Sequence, residues 1–212
     1  MIISIAHTKG GVGKSTIVWN LATQLNKKYS VEIVDLDFQK TLTYTNEFRD
    51  HQLSVKSFNS MKELKKYISL DSDRRISIID TGGFDSDINR MAMVMSDLII
   101  TPVSDSGTEL LGLMRFEKVL DDISETIGEE FITTVLINDI NPSKTKLDDL
   151  VEYVNQNKHF NLFDTILRTR ADYGKALDLG LGVSEYKKES KASKEFRAFS
   201  KEVKIIIEEV LA

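Results

Sequence analysis

The stretch His7-Thr8-Lys9-Gly10-Gly11-Val12-Gly13-Lys14-Ser15-Thr16 constrains the fold more than any other part of the chain. Met1 to Ala6 precede it as a short apolar run with strand alternation. Ile17, Leu21, Ala22 and Leu25 follow it at the spacing of one helical face. Strand, glycine-rich turn and helix in that order form the context in which this pattern predicts a phosphate-binding loop. Gly10, Gly11 and Gly13 carry no Cβ, so the loop can curl and aim successive N–H groups inward. The helix beginning near Lys14 adds its positive dipole end at the same point. On this reading Lys14 reaches the β- and γ-phosphates of a nucleotide, Ser15 holds Mg²⁺ and Thr16 bonds the α-phosphate. The competing reading is a glycine-rich turn with a surface lysine. Lys-Gly-Gly-x-Gly-Lys-Ser/Thr arises by chance in only a few random chains of this length per 10⁵, roughly.

The 212 residues are enough for one domain with a substantial core, and 41% hydrophobic with 29% charged residues is an ordinary globular balance. The absence of cysteine removes disulfides, thiolate catalysis and Cys-based zinc sites together. No apolar run has membrane-spanning length, and the first residues already read as a strand rather than a signal peptide, so a cytoplasmic location is expected. A net charge of -5 gives no global pull toward nucleic acid, and any such binding must come from a local patch. His7, His51 and His159 lack ligand spacing; His7 reads as support for the adjoining backbone.

Strand and helix signals then alternate to the end, with no linker or low-complexity segment between them. Strands are expected over Ser30 to Leu36, Leu53 to Phe58, Ile76 to Asp80, Asp97 to Val103 and Phe131 to Ile137. Helices are expected to carry Met61, Leu64, Tyr67 and Ile68; to fill most of Gly107 to Ile127; and to carry Leu147, Leu150, Val151 and Val154. A final helix presents Phe196, Phe199, Val203, Ile207 and Val210 on one face, and Met91, Met93 and Met95 read as core filling. Near-continuous apolar strands in β–α alternation predict an α/β fold, a mostly parallel twisted sheet covered on both faces, in three layers. Ligands of such folds bind beyond the carboxyl ends of the strands.

Those ends carry acids. Asp35 and Asp37 close the second strand in the pattern D-x-D-x-Q, and Asp80 closes a later one before Thr81-Gly82-Gly83. A phosphate-bound Mg²⁺ needs oxygen ligands or water-holding carboxylates, and an attacking water needs an orienting acceptor. A strand-end acid can equally be a turn residue or a helix cap.

The common loop pattern requires glycine where this chain has Thr8, and a second lysine, Lys9, follows. This loop, the Asp35–Gln39 segment and the strand ending in Asp80 resemble, in order, the deviant Walker A, A′ and B motifs of the ParA/MinD superfamily of ATPases. The resemblance implies a single P-loop ATPase domain over residues 1–212, without the amino-terminal helix-turn-helix extension of larger plasmid ParA proteins. It implies Mg²⁺-dependent ATP hydrolysis in which Lys9 reaches the phosphates of a partner protomer, Asp37 positions water, Asp35 supports the Mg²⁺ shell and Asp80 holds a Mg²⁺-bound water. Phe38 and Thr81-Gly82-Gly83 stand where the family usually or often has proline. Asn138, with Pro142 beside it, either contacts adenine or forms a turn through Asn138-Asp139-Ile140-Asn141-Pro142.

Between Thr165 and Lys204 ten basic residues face six acidic ones, which reads as a solvated surface or as a nucleic-acid patch. Arg168 to Ala176 and Val183 to Tyr186 resemble the corresponding part of ParA proteins, where an arginine at the position of Arg170 contributes to non-specific DNA binding; Arg168 and Lys175 are grouped with it. The resemblance is to small partition ATPases. It implies an ATP-bridged homodimer, non-specific DNA, and a separate ParB-like or ribbon-helix-helix centromere-binding partner. Glu208 and Glu209 in the last turn disfavour an anionic membrane surface and hence a MinD-like positioning role. A metabolic or cofactor-assembly enzyme of the dethiobiotin-synthetase type is the reading from another class.

Overall fold

The computed structural model describes residues 1–69 and 75–212. In chain order the elements are β1 (Ile2–Ile5), α1 (Lys14–Leu25), β2 (Ser30–Asp35), α2 (Thr41–Glu47), β3 (Ser54–Lys56), α3 (Met61–Ser69), β4 (Arg75–Asp80) and α4 (Asp87–Val94). They continue as β5 (Leu98–Val103), α5 (Gly107–Ile127), β6 (Thr133–Ile137), α6 (Asp148–Gln156), β7 (Phe160–Leu162), α7 (Ala171–Leu177), α8 (Val183–Tyr186) and α9 (Lys191–Val210). The strands form one sheet in the order β3-β2-β4-β1-β5-β6-β7, every pairing parallel. Helices cover both faces, so the three-layer parallel α/β architecture expected from the alternation is the one observed.

Successive strand residues point to opposite faces, and here both faces are apolar. On one side Ile3 and Ile5 of β1, Ile33 of β2 and Ile78 of β4 pack with Ile17, Leu21 and Leu25 of α1 and with Phe196, Phe199, Val203 and Ile207 of α9. On the other side Ile2, Val34 and Ile79 meet Leu64 and Ile68 of α3 and Ala92 of α4. Further along that side Ile99, Val103, Val135 and Ile137 meet Phe116 and Leu120 of α5 and Val154 of α6. The four α9 side chains are fully buried, worth about 6–12 kcal/mol of gross transfer free energy. Val210 departs from the expected stripe: it ends the helix beyond the core and is exposed.

β3 is shorter than the apolar run suggests because it is an edge strand, paired with β2 alone. β6 starts at Thr133 rather than Phe131, whose N–H is taken by Ser124 Oγ at 3.0 Å instead of by a neighbouring strand. Met93 is buried, and Met91 and Met95 pack against the core around α4. From β1 the chain moves to β2 on one side, and from β4 it moves to β5 on the other. The loop after β1 therefore sits at the crevice where strand order reverses, which is where open parallel sheets bind ligands.

Candidate nucleotide site

The loop between β1 and α1 turns through two left-handed glycines, Gly11 at φ 79° and Gly13 at φ 93°, a conformation that costs a side-chain-bearing residue energy. Gly13 is also the N-cap of α1 and supplies no side-chain cap, leaving the first N–H groups of the helix available to a ligand. A Cβ on Gly13 would stand 2.6 Å from Asn138 Nδ2, and that amide donates to the Val12 carbonyl at 2.8 Å. Asn138 thus braces the loop from the end of β6. Asp139 follows with φ 56°, Ile140 bridges to Arg168, and the hydrogen-bonded turn lies later than expected, with Lys144 N donating to the Asn141 carbonyl at 2.9 Å.

The Lys14 ammonium is buried and donates to the Lys9 carbonyl at 3.0 Å. Burial lowers its pKa, opposed by the charges of Asp80, Asp37 and Glu109. Asp35 and Asp80 are register partners on β2 and β4, and Ile5 pairs with Asp80 from the other side, so the two acids lie at adjacent strand ends below the loop. Asp80 is fully buried, and both carboxylate oxygens lack a hydrogen bond of good geometry. Burial pushes its pKa up to about 7 and the Asp35 and Asp37 charges add to the rise, while the nearby Ser15 hydroxyl and Lys14 oppose it.

A buried carboxylate without donors beside a phosphate loop fits a hydrated divalent cation. The cation's waters would supply the missing donors, and its charge would restore the ionised form. No group of three or more His, Asp or Glu side chains with metal-ligand placement occurs among the described residues. A Mg²⁺ held through phosphates, water and one hydroxyl needs none.

Asp35 is already engaged. Its carboxylate accepts from Thr43 N at 3.2 Å, Thr43 Oγ1 at 3.0 Å and Asp37 N at 3.2 Å. Burial raises its pKa, and these bonds together with the Lys40 charge draw it back. Asp35 therefore ties the start of α2 to the turn that carries Asp37, at the cost of a left-handed Lys40 at φ 52° whose ammonium caps the Asp35 carbonyl at 3.1 Å. Asp37 faces the open cleft, about 620 Å³, together with Gly13, Lys14, Ser15, Thr16 and Gly83. Phe38, 87% exposed, and Phe84 stand at its rim. A Cβ on Gly83 would come within 2.9 Å of Gly10 Cα, so the loop after β4 lies directly on the phosphate loop.

At the other end of the loop Lys9 does not face the cleft. Its ammonium is ion-paired with Glu109 in the first turn of α5, and it donates to Thr108 Oγ1 at 3.4 Å. The Lys9 N–H donates to His7 Nδ1 at 3.0 Å, and the His7 ring stacks on Phe116 at 5.4 Å. Burial, then the charges of Lys14 and Lys9, lower the His7 pKa to about 3, so the ring is a neutral support for the backbone. Sequence reasoning missed Glu109. It sits three residues after the N-cap Ser106 and reads as an ordinary helix start.

The basic residues separate into two groups. Arg168 and Arg170 line a second cavity of about 230 Å³ with Asn138, Tyr173 and Phe196, beside the phosphate loop. Arg168 donates to the Asn141 carbonyl at 3.2 Å, Arg170 pairs with Glu195 at 2.6 Å, and Lys175 is exposed on α7. The second group gathers later residues of the basic stretch around Lys27, which the sequence did not connect with them. Lys27, at the end of α1, has its pKa lowered first by burial and then by the charges of Lys204, Arg197 and Lys188, with Glu185 opposing. Glu185 is itself held by Arg49 through two bonds of 2.8 and 2.7 Å. Lys194, Arg197, Lys201 and Lys204 share one solvent face of α9 by helical spacing.

A parallel sheet with a glycine loop at its switch point and a lysine at the head of the following helix defines a P-loop nucleotide-binding protein. Residues 3–183 match the family model of the CobQ/CobB/MinD/ParA nucleotide-binding domain, and the chain belongs to that family. It is 23% identical over 147 residues, 67% of its length, to "Protein ParA" of Rhizobium radiobacter, and it spans 66% of that relative. Its fold is similar to a candidate plasmid partition protein of Borrelia burgdorferi bound to AMPPNP, with TM-score 0.63, 19% identity and 95% and 98% of the two chains covered. The septum site-determining protein MinD of Pyrococcus horikoshii with Mg-ADP is similar too, with TM-score 0.70, 17% identity and 95% of each chain covered. No helix among the described residues is long and apolar enough to cross a membrane.

Proposed function

We propose that this protein is a ParA-type DNA partition ATPase. The observation that carries the reading is the second lysine, Lys9, on a phosphate loop that lies against Asp37 and the unpartnered carboxylate of Asp80. In this reading Lys14 neutralises the β- and γ-phosphates, the amides of Gly10 to Thr16 cradle them, and the Ser15 hydroxyl and Asp80, through water, hold Mg²⁺. Mg²⁺ bound there would supply positive charge to offset that of the phosphates. Asp37 orients the attacking water, Asp35 keeps the Asp37 turn in place, and Lys9 of a second protomer completes the charge balance around the γ-phosphate. Hydrolysis to ADP and phosphate is slow until a centromere-binding partner, ParB-like or ribbon-helix-helix, engages the dimer. Asn138 serves the nucleotide both by bracing Val12 and by lying at the mouth of the cavity where a base would sit.

The ATP-bound dimer carries non-specific DNA, which places the protein on the nucleoid in the cytoplasm. Two features support DNA over a lipid surface. The apolar face of α9 is spent on the core, and its opposite face is cationic around Lys27, Lys188, Arg197 and Lys204, where Glu185 is paired with Arg49 and Glu208, near Lys204, with Lys28. Phosphate contacts require only positive charge in the right place, and each is paid back through counterion release. Co-sedimentation with arbitrary duplex DNA is expected with ATP and absent with ADP. A metabolic ligase with this loop has no reason to co-sediment. Replacing Arg197 and Lys204 together by Ala is expected to weaken DNA binding about tenfold or more at physiological salt, and Arg170→Ala to weaken it less, with ATP dimers intact. Unchanged affinity in both variants would contradict DNA as the partner of this surface.

A further inference from the structure

The loop lysine that the proposed dimer needs is docked, in the single protomer, onto its own α5. The Lys9 ammonium pairs with the Glu109 carboxylate and bonds the Thr108 hydroxyl, and its backbone N–H is fixed by the buried His7 ring. The aliphatic stem lies over Gly112, where a Cβ would stand 3.3 Å from Lys9 Cδ and 3.2 Å from His7 Cε1. Glycine is a poor residue for the interior of a helix of 21 residues, and here its missing side chain is what gives the lysine stem its seat. The Glu109 side chain is only 14% exposed, and its second oxygen is buried without a partner, so Lys9 is the cation that offsets a largely desolvated charge.

We infer that Glu109 is a positioning residue that holds Lys9 in cis, and that this latch must open in both protomers before the ATP sandwich can close. The inference rests on the proposed role of Lys9 in trans. It supplies what that role lacks, namely a reason why the nucleotide-free protein does not present its lysine. Forming one dimer breaks two such pairs and leaves two Glu109 carboxylates with their charge uncompensated. The latch thus sets the dimerisation threshold without touching nucleotide.

The test uses the full chain carrying Asp37→Ala, so that ATP is bound and not consumed, with the dimer dissociation constant measured by sedimentation in saturating ATP and Mg²⁺. Adding Glu109→Gln is expected to tighten the dimer about tenfold, from the loss of two charge-assisted pairs. Glu109→Ala, compatible with any helix position, is expected to act in the same direction should the glutamine variant fold poorly. ADP affinity is expected to be unchanged in both, whereas general damage to the phosphate loop would lower it. An equal or weaker ATP dimer with ADP affinity intact would overturn the latch. A parent protein that stays monomeric with ATP bound would instead overturn the dimer reading itself, and the latch with it.

Discussion

Lys14→Ala is expected to abolish measurable ATP binding, with affinity lower by at least about 100-fold, the equivalent of roughly 3 kcal/mol. The size follows from where the ammonium sits. It is buried at the head of α1, near the charges of Asp80, Asp37 and Glu109, and donates to the Lys9 carbonyl at 3.0 Å. Those acids keep it charged against the pull of burial. Removing it would leave the phosphates and the acids Asp80 and Asp37 without the charge that offsets them. Isothermal titration with ATP and Mg²⁺ reads the affinity, and retained tight binding would remove the phosphate role from this loop.

Asp37→Ala is expected to separate binding from turnover. ATP affinity and ATP-dependent dimers should persist while hydrolysis falls about 100-fold or more, the loss typical when the group orienting a nucleophile is removed. Asp37 is the acid that opens onto the cleft beside Lys14, Ser15 and Thr16, and its carboxylate accepts from the Gln39 N–H at 2.8 Å. Asp35 and Asp80 are differently placed: the first is consumed by Thr43 and the Asp37 backbone, and the second is sealed beneath the loop. Single-turnover phosphate release measures the effect. An unchanged rate would move the water-positioning role elsewhere.

Much of this was legible in the residue order. The glycine loop, the apolar strands and the long stripes of α5 and α9 announce themselves because each is a strong local pattern that tertiary packing only reinforces. The α5 boundaries, Gly107 to Ile127, coincide with those expected, fixed by Ser106 at one end and the left-handed Gly128 at the other. Short elements did not announce themselves. α2 buries only Leu42, Thr45 and Asn46 and starts from a left-handed lysine, and α7, α8 and β7 span too few residues to develop a period. Sheet order was invisible as well, since it is set by crossovers, and with it the adjacency of Asp35 and Asp80. Long-range charge partners are of the same kind. Glu109 lies 100 residues from Lys9, and Glu195 lies 25 from Arg170; neither pairing has a local signature. The cationic cluster of Lys27 with Lys188, Arg197 and Lys204 joins the two ends of the chain through the packing of α1 on α9.

In the proposed function one protomer holds half of each site, and Lys9 comes from the other. Mixing two inactive variants tests it most directly. A Lys9→Ala protomer keeps its own Asp37, and an Asp37→Ala protomer keeps its own Lys9. In a mixed dimer the first protomer's site then holds an intact Asp37 and receives Lys9 from its partner. ATPase assays of a 1:1 mixture are expected to recover activity approaching about a quarter of wild type, since half the dimers are mixed and one of their two sites is whole. A mixture as inactive as either variant alone would contradict a lysine acting in trans.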